Sequence, residues 1–186
     1  FTFDDGPHRK NTARLLDIAK AHQVKFTFFV IGERVACHGS LLVRMRDEGH
    51  EIGNHTWSHV NLDKLSDQDL LNEVGKCHHE MIRVTGLQPK LFRPPYGKLN
   101  RRQQALISNH FGYEKVLWNI DTIDWRIRNA PTIHTHLMEV KLANSVVLMH
   151  DIFSTSIDAT ELLLNDLDGG VRFVTVSELR NSISKS

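Results

Sequence analysis

Two groups of side chains in this 186-residue chain have the types and spacing of reactive groups. The first is Asp4 and Asp5, within Phe1-Thr-Phe-Asp-Asp-Gly-Pro7. Three strand-favouring residues run into two adjacent carboxylates and then a Gly-Pro turn. Neighbouring side chains on a regular strand point to opposite faces. Asp4 and Asp5 therefore share one site only if the strand ends there and the chain bends, as Gly6 and Pro7 allow. Two carboxylates held together need a cation, an arginine or a shared proton. The second group is His55 and His59, in Asn54-His-Thr-Trp-Ser-His59. At helical spacing the two imidazoles stand one turn apart on one face, as two metal ligands require. Twelve histidines make a chance HxxxH pair credible. The strand before this one, and the carboxylates of residues 1–7, give it weight. One Asp and two His make three protein ligands and leave a fourth position open, the pattern of a catalytic metal rather than a closed structural one. Zinc is the default for mixed nitrogen and oxygen ligation, and cobalt or nickel also fits. A structural zinc domain would need a fourth protein ligand, and none is evident.

Three further stretches carry candidate chemistry. Arg93-Pro-Pro-Tyr-Gly97 is stiff, because two prolines fix φ and lack N–H donors. It is either a structural turn or a loop that fixes the Arg93 side chain and the Tyr96 backbone N–H. A guanidinium beside Asp4 would keep that carboxylate ionised and oriented. Asp121-Thr-Ile-Asp-Trp125 follows an apolar run, and its aspartates either cap helices or serve a site. Leu148-Met-His150-Asp151 ends another run, so His150 is a core-edge residue or an acid/base group. An Asp bonded to such a His raises its pKa and fixes its tautomer.

These residues need elements to position them. Phe26–Ile31, Lys115–Trp118, Ser145–Met149 and Arg172–Val176 read as strands, with shorter candidates at Glu51–Gly53 and Leu91–Phe92. Helical patterns include Leu15, Leu16, Ile18 and Ala19, a run opened by Ser66 and Asp69 and stopped at Gly86, Arg101–Phe111, Thr132–Leu142, Asp158–Leu167, and a last helix capped by Ser177. Cys37 falls in a loop-like Cys-His-Gly-Ser stretch and Cys77 in a helical one, and the two read as unpaired small side chains, with a disulfide left open. Strand–helix alternation argues for an α/β fold with a mainly parallel sheet. The polar clusters each follow a strand, which suits the mouth of a (β/α) barrel. The chain is short for eight repeats, so the expected form is a distorted or incomplete TIM-like barrel.

Composition narrows the partners. The formal charge is +1, from 23 cationic and 22 acidic residues, with no basic block. Nucleic acid and anionic membranes are not expected partners on electrostatic grounds, and no membrane-spanning run is visible. The length suits one domain over 1–186, and the start inside a strand reads as a trimmed N-terminus.

Five motifs in order resemble the polysaccharide deacetylase family with NodB homology, carbohydrate esterase family four. They are Thr2–Pro7, His55–His59, Arg93–Gly97, Asp121–Trp125 and Leu148–His150. The text at Thr27–Gly32, Glu48–Asn54 and Phe173–Leu179 is similar to the family as well. Val60 stands where proline is common, and Lys25-Phe26 where Lys-Ala is usual. The resemblance implies a distorted (β/α) barrel and metal-dependent removal of acetyl groups from a polysaccharide. Position by position, it implies Asp5, His55 and His59 as metal ligands, Asp4 as general base and Arg93 as its holder. It implies Tyr96 N–H as an oxyanion donor, and His150, supported by Asp124, as general acid. Trp125 and Leu148 would line the acetyl pocket. The expected reaction is N-deacetylation of β-1,4-linked N-acetylglucosamine chains, as in chitin or peptidoglycan. O-deacetylation of xylan and a non-catalytic polysaccharide-binding module are the alternatives. The family implies action outside the cytoplasm, at a cell wall or in the periplasm, and oligomeric state is left open.

Overall fold

The computed structural model describes residues 1–167 and 170–184. Seven short strands among them form one sheet: β1 Thr2–Asp4, β2 Thr27–Val30, β3 Glu51–Asn54, β4 Leu91–Phe92, β5 Glu114–Lys115, β6 Ile120–Asp121 and β7 Val147–His150. Their spatial order is β5-β4-β3-β2-β1-β7-β6, and every paired neighbour is parallel. The helices are α1 Asn11–Ala21, α2 Gly32–Asp47, α3 Asp67–Thr85, α4 Arg101–Phe111, α5 Asp124–Ile127, α6 Ala130–Glu139, α7 Ser154–Asp166 and α8 Val176–Ile183. β5 and β6 are the two edges, joined by residues 116–119 rather than by a ladder. This curled, unclosed sheet is the distorted (β/α) barrel expected from the polar clusters at the strand ends and the short chain.

The core lies where the strand pattern is most apolar. All four residues of β2 are buried. Phe26, at the position where the family favours alanine, is fully buried; its ring centroid lies 5.1 Å from that of Phe3 and 6.5 Å from that of Phe28. Parallel register then sets the rim. Asp4 aligns with His150, Val30 with Asn54, Asn54 with Phe92, and Asp121 with Leu148. The carboxyl ends of five strands thus gather their polar followers at one end of the sheet. No helix among the described residues is long and apolar enough to cross a membrane.

Local signals place several helices well. Ser66 caps α3, its hydroxyl accepting the Asp69 N–H, and Gly86 ends it at φ 71°. α4 has the expected bounds, with Asn100 and Gln103 capping each other. Three expectations need correction. The Cys37-His-Gly-Ser40 stretch lies inside α2, not in a loop; Val35, Leu42 and Met45 bury this helix, and only His38 leaves helical geometry (φ −134°, ψ 36°). Arg172–Val176 is not a strand. Phe173 packs its ring on Phe1 and Phe26, Lys25 gives this segment a single backbone bond, and Thr175 caps α8, so Ser177 lies inside that helix. The Lys115–Trp118 run pairs only at Lys115, after which residues 116–119 lead to β6. Both cysteines are free, Cys37 exposed and Cys77 buried.

Candidate active site

Asp5, His55 and His59 converge. Their ligand atoms lie within 4.8 Å of one another, the only such His/Cys/Asp/Glu group among the described residues. Asp5 Oδ1 is 3.6 Å from His55 Nε2 and 3.4 Å from His59 Nε2. That oxygen is buried and accepts no hydrogen bond. His55 Nδ1 lies 2.6 Å from the Arg93 carbonyl. A carbonyl only accepts, so Nδ1 carries the proton and Nε2 turns its lone pair towards Asp5. Burial drives the His55 pKa down to about 3, which keeps the ring neutral, as a ligand must be. One orphaned carboxylate oxygen facing two imidazole nitrogens fits a divalent cation of the zinc type.

The helical placement of the HxxxH pair is wrong, although the convergence is right. Residues 55–61 form an irregular loop between β3 and a short 3₁₀ turn. Thr56 (φ 70°) and His59 (φ 59°) take left-handed backbone conformations. Asn54 Oδ1 accepts the Thr56 N–H at 2.8 Å, and Thr56 Oγ1 accepts the His59 N–H at 3.1 Å. Side-chain bonds of this kind compete with helix formation. Asp5 also turns through positive φ, 73°, which brings it beside Asp4 at the strand end.

Asp4 stands beside the triad, its Oδ2 3.6 Å from His55 Nε2, and differs from Asp5 in being engaged by an arginine. Its Oδ1 accepts from Arg93 Nη1 at 2.7 Å. Arg93 is fully buried, and it also donates to Thr2 Oγ1 and to the carbonyls of Val116 and Leu117. Its guanidinium carbon lies 4.1 Å above the Phe29 ring. Burial pushes the Asp4 pKa above its ordinary value, although Arg93, His150 and His59 pull it down. A carboxylate of this kind is held by charge yet remains a better proton acceptor than an exposed one.

On the neighbouring strand, His150 Nδ1 is 2.8 Å from Asp124 Oδ1. Asp124 is fully buried and also accepts from the backbone N–H groups of Trp125 and His150 and from the Ser156 hydroxyl at 2.6 Å. Burial alone would lower the His150 pKa; the hydrogen bond and charge of Asp124, with Asp4 and Asp5, raise it to about 9. Asp121 caps locally, accepting the Ile123 N–H. Tyr96 turns through φ 60°, with its ring centroid 4.9 Å from that of His59. Trp125 is half exposed at the rim, whereas Leu148 is 4% exposed and presents little surface. Sequence reasoning missed Thr2 and Ser156. Thr2 lay two residues before Asp4, a same-face spacing that was available as a signal. Ser156 lies in the first turn of α7, which starts at Ser154 rather than at the expected Asp158.

The fold and the site define a parallel, unclosed (β/α) barrel with a metal-competent Asp-His-His centre at its carboxyl rim. A sequence profile described as polysaccharide deacetylase matches residues 1–116, and the chain belongs to that family. It is 38% identical over 179 residues to the peptidoglycan-N-acetylmuramic acid deacetylase PdaC of Bacillus subtilis, covering 96% of this chain and 38% of that protein. It is 37% identical over 186 residues to a peptidoglycan-N-acetylglucosamine deacetylase of Bacillus cereus, covering 96% of this chain and 85% of that protein. The solved structure of the peptidoglycan deacetylase PdaC from B. subtilis superposes with a TM-score of 0.94 at 37% identity, over 99% of this chain and 90% of that one. The chain thus spans well under half the length of the full B. subtilis protein.

Proposed function

We propose that residues 1–186 act as one metal-dependent deacetylase domain that hydrolyses N-acetyl groups on β-1,4-linked N-acetylglucosamine polymers and releases acetate. The observation that carries this reading is the Asp5 Oδ1 atom, buried without a donor between His55 Nε2 and His59 Nε2, with Asp4 alongside but engaged by Arg93. We assign zinc to Asp5, His55 and His59; cobalt or nickel suits the same donors. When bound, the ion supplies positive charge that polarises the acetyl carbonyl and acidifies water.

The chain's own residues then divide the proton work. Asp4 takes the proton from the attacking water, and Arg93 keeps its second oxygen fixed. Tyr96 N–H donates to the developing oxyanion. An amine leaves poorly until protonated, and His150, kept as imidazolium by Asp124, supplies that proton. Trp125 and Leu148 bound the acetyl group. Peptidoglycan is the favoured polymer, because both relatives described above bear that substrate in their names. For the same reason we place the activity at a cell wall, outside the cytoplasm.

Acetate release with zinc present, measured on peptidoglycan, chitooligosaccharides and acetylated xylan, tests this reading. Release from the first or second is expected. Release from xylan alone would make the chain an esterase, and sugar binding without release from any polymer would make it a binding module.

A further inference from the structure

We infer that Glu73, on α3, is a positioning residue that holds His59 in place through Ser58. The inference rests on the reading of Asp5, His55 and His59 as metal ligands. His59 is the outermost of the three, its side chain 25% exposed against 3% for His55. It sits in an irregular loop with two non-glycine residues, Thr56 and His59, in the left-handed region. Such conformations persist only where surrounding contacts over-determine them. One turn-like bond, His59 N–H to Thr56 Oγ1, lies within the loop. The rest of the restraint comes from outside it.

The Gly32 and Glu33 N–H groups at the start of α2 hold the Thr56 and Trp57 carbonyls at 3.0 and 3.1 Å, and Glu73 supplies the external hold next to His59 itself. Its Oε2 accepts the Ser58 N–H at 3.1 Å, and the Ser58 hydroxyl lies 3.1 and 3.2 Å from its two oxygens. Among the described residues no Lys, Arg or His forms an ion pair with it, so Ser58 is its partner in the fold. The next residue of α3 grips the other end of the loop, since the Val74 carbonyl accepts Asn54 Nδ2–H at 3.0 Å. Asn54 also donates to Tyr113 Oη, itself 2.9 Å from His78 Nδ1 one turn further along α3. α3 is anchored by buried Leu70, Val74, Cys77 and Met81. Consecutive residues of one rigid helix thus clamp the residues that immediately precede His55 and His59. Releasing Ser58 leaves His55 buried and held by the Arg93 carbonyl, and Thr56 and Trp57 held by α2, but removes the hold adjacent to His59 and lets its side chain turn outward.

Zinc affinity, by competition with a chromophoric chelator, and the cobalt(II) absorption spectrum test this on wild type, E73A, E73Q, S58A, H59A and the E73A/H59A pair. Wild type that binds no zinc would sink the ligand reading itself. Given wild-type binding, E73A is expected to lose roughly 10–100-fold in zinc affinity, the usual effect of removing an outer partner of a ligand. Its cobalt spectrum should weaken as an imidazole leaves, and E73Q, which still accepts from Ser58, should recover most of both. In the H59A background E73A should change the residual affinity by less than about twofold, because the residue it positions is gone. Wild-type affinity in E73A, or an equal loss with and without His59, would overturn the proposal. S58A keeps the backbone N–H bond to Glu73 and removes only the hydroxyl contacts, so it is expected to lose less zinc affinity than E73A; a larger loss in S58A than in E73A overturns the proposal too, whatever the stability of E73A.

Discussion

Asp4 and His150 are register partners on the adjacent parallel strands β1 and β7. Their side chains therefore leave the same face of the sheet, about one strand spacing of 4.8 Å apart at the backbone. A proton acceptor and a proton donor so placed can serve the two sides of one scissile bond. They also sustain each other, since the Asp4 charge helps to hold the proton on His150.

The first prediction concerns that proton. With His150 at about 9, deacetylation of an amide substrate should keep its rate through neutral pH and fall as pH passes about 9. D124N removes the main raising influence, so the alkaline limb should move down towards the ordinary histidine value near 6.5. H150A should lower kcat on amides by about 10²–10⁴ and on acetyl esters far less. Stability follows the same sign. The folded pKa lies above the unfolded one, so the stabilisation by Asp124 is complete below about 6.5 and is lost as pH rises through about 9. The gap between the denaturation midpoints of wild type and D124N should narrow across that window, leaving a pH-independent remainder from the Trp125, His150 N–H and Ser156 bonds; an alkaline limb that does not move in D124N removes His150 as the acid.

A second prediction separates Arg93 from Asp4. Arg93 is fully buried and Asp4 nearly so. R93M strands a buried carboxylate, a change that typically costs about 3–5 kcal/mol. D4N should fold, bind zinc as wild type does, and fail to turn over. R93K keeps the charge but cannot reproduce the fork that reaches Asp4, Thr2 and two carbonyls. It should fold with a lower midpoint and a kcat reduced by about 10². Urea denaturation with zinc content read on the same samples checks all three, and a D4N enzyme at wild-type rate would exclude Asp4 as base.

Much of this site was legible from residue types. Asp-Asp before Gly-Pro marked a strand end, as found, and of the two readings of Arg93–Gly97, a structural turn or a loop that fixes the guanidinium, the structure shows the guanidinium held against Asp4. What escaped depends on contacts between distant segments. The HxxxH spacing suggested a helix because a 3.6-residue period and an Asx-turned loop both bring residues four apart together. Cys37–Ser40 has loop composition, yet Val35, Leu42 and Met45 bury one face of α2 and carry the helix through it. Arg172–Val176 has strand composition, but packing of Phe173 on Phe1 and the cap at Thr175 decide its path. Ser156 and Glu73 carry no local signal at all, since each acts on a residue from another element.

Metal removal gives a third prediction. A ligand that binds only the folded chain stabilises it by about 2.7 kcal/mol at a hundred times its Kd. For a domain of this size that is a shift of roughly 5–11 °C in Tm. A strong chelator should therefore abolish acetate release and lower Tm together, and zinc should restore both. H59A should lose the zinc-dependent Tm shift, and zinc at modest concentration should not recover its activity. A chelated protein that retains full activity would be incompatible with the assigned centre.

The fourth prediction concerns Asp151, which follows His150 and touches the other side of the Asp4–Gly6 bend. Its carboxyl is fully buried; the Thr12 hydroxyl donates to Oδ2, while Oδ1 has no partner. A Cβ added at Gly6 would fall 2.2 Å from Oδ2, so the carboxyl packs where only glycine leaves room. Burial raises its pKa to about 7. A carboxyl whose folded pKa lies above its unfolded value destabilises the fold when it ionises. The penalty is absent below about 4, grows as pH rises, and is complete above about 7. Asn at this position keeps an acceptor for Thr12 and carries no charge. In zinc-free protein D151N should match wild type in Tm at pH 3.5 and exceed it by several degrees at pH 8. G6A should lower Tm at both, because its methyl group displaces the carboxyl in either protonation state. Equal midpoints for D151N and wild type at pH 8 would mean that Asp151 ionises in the fold without cost.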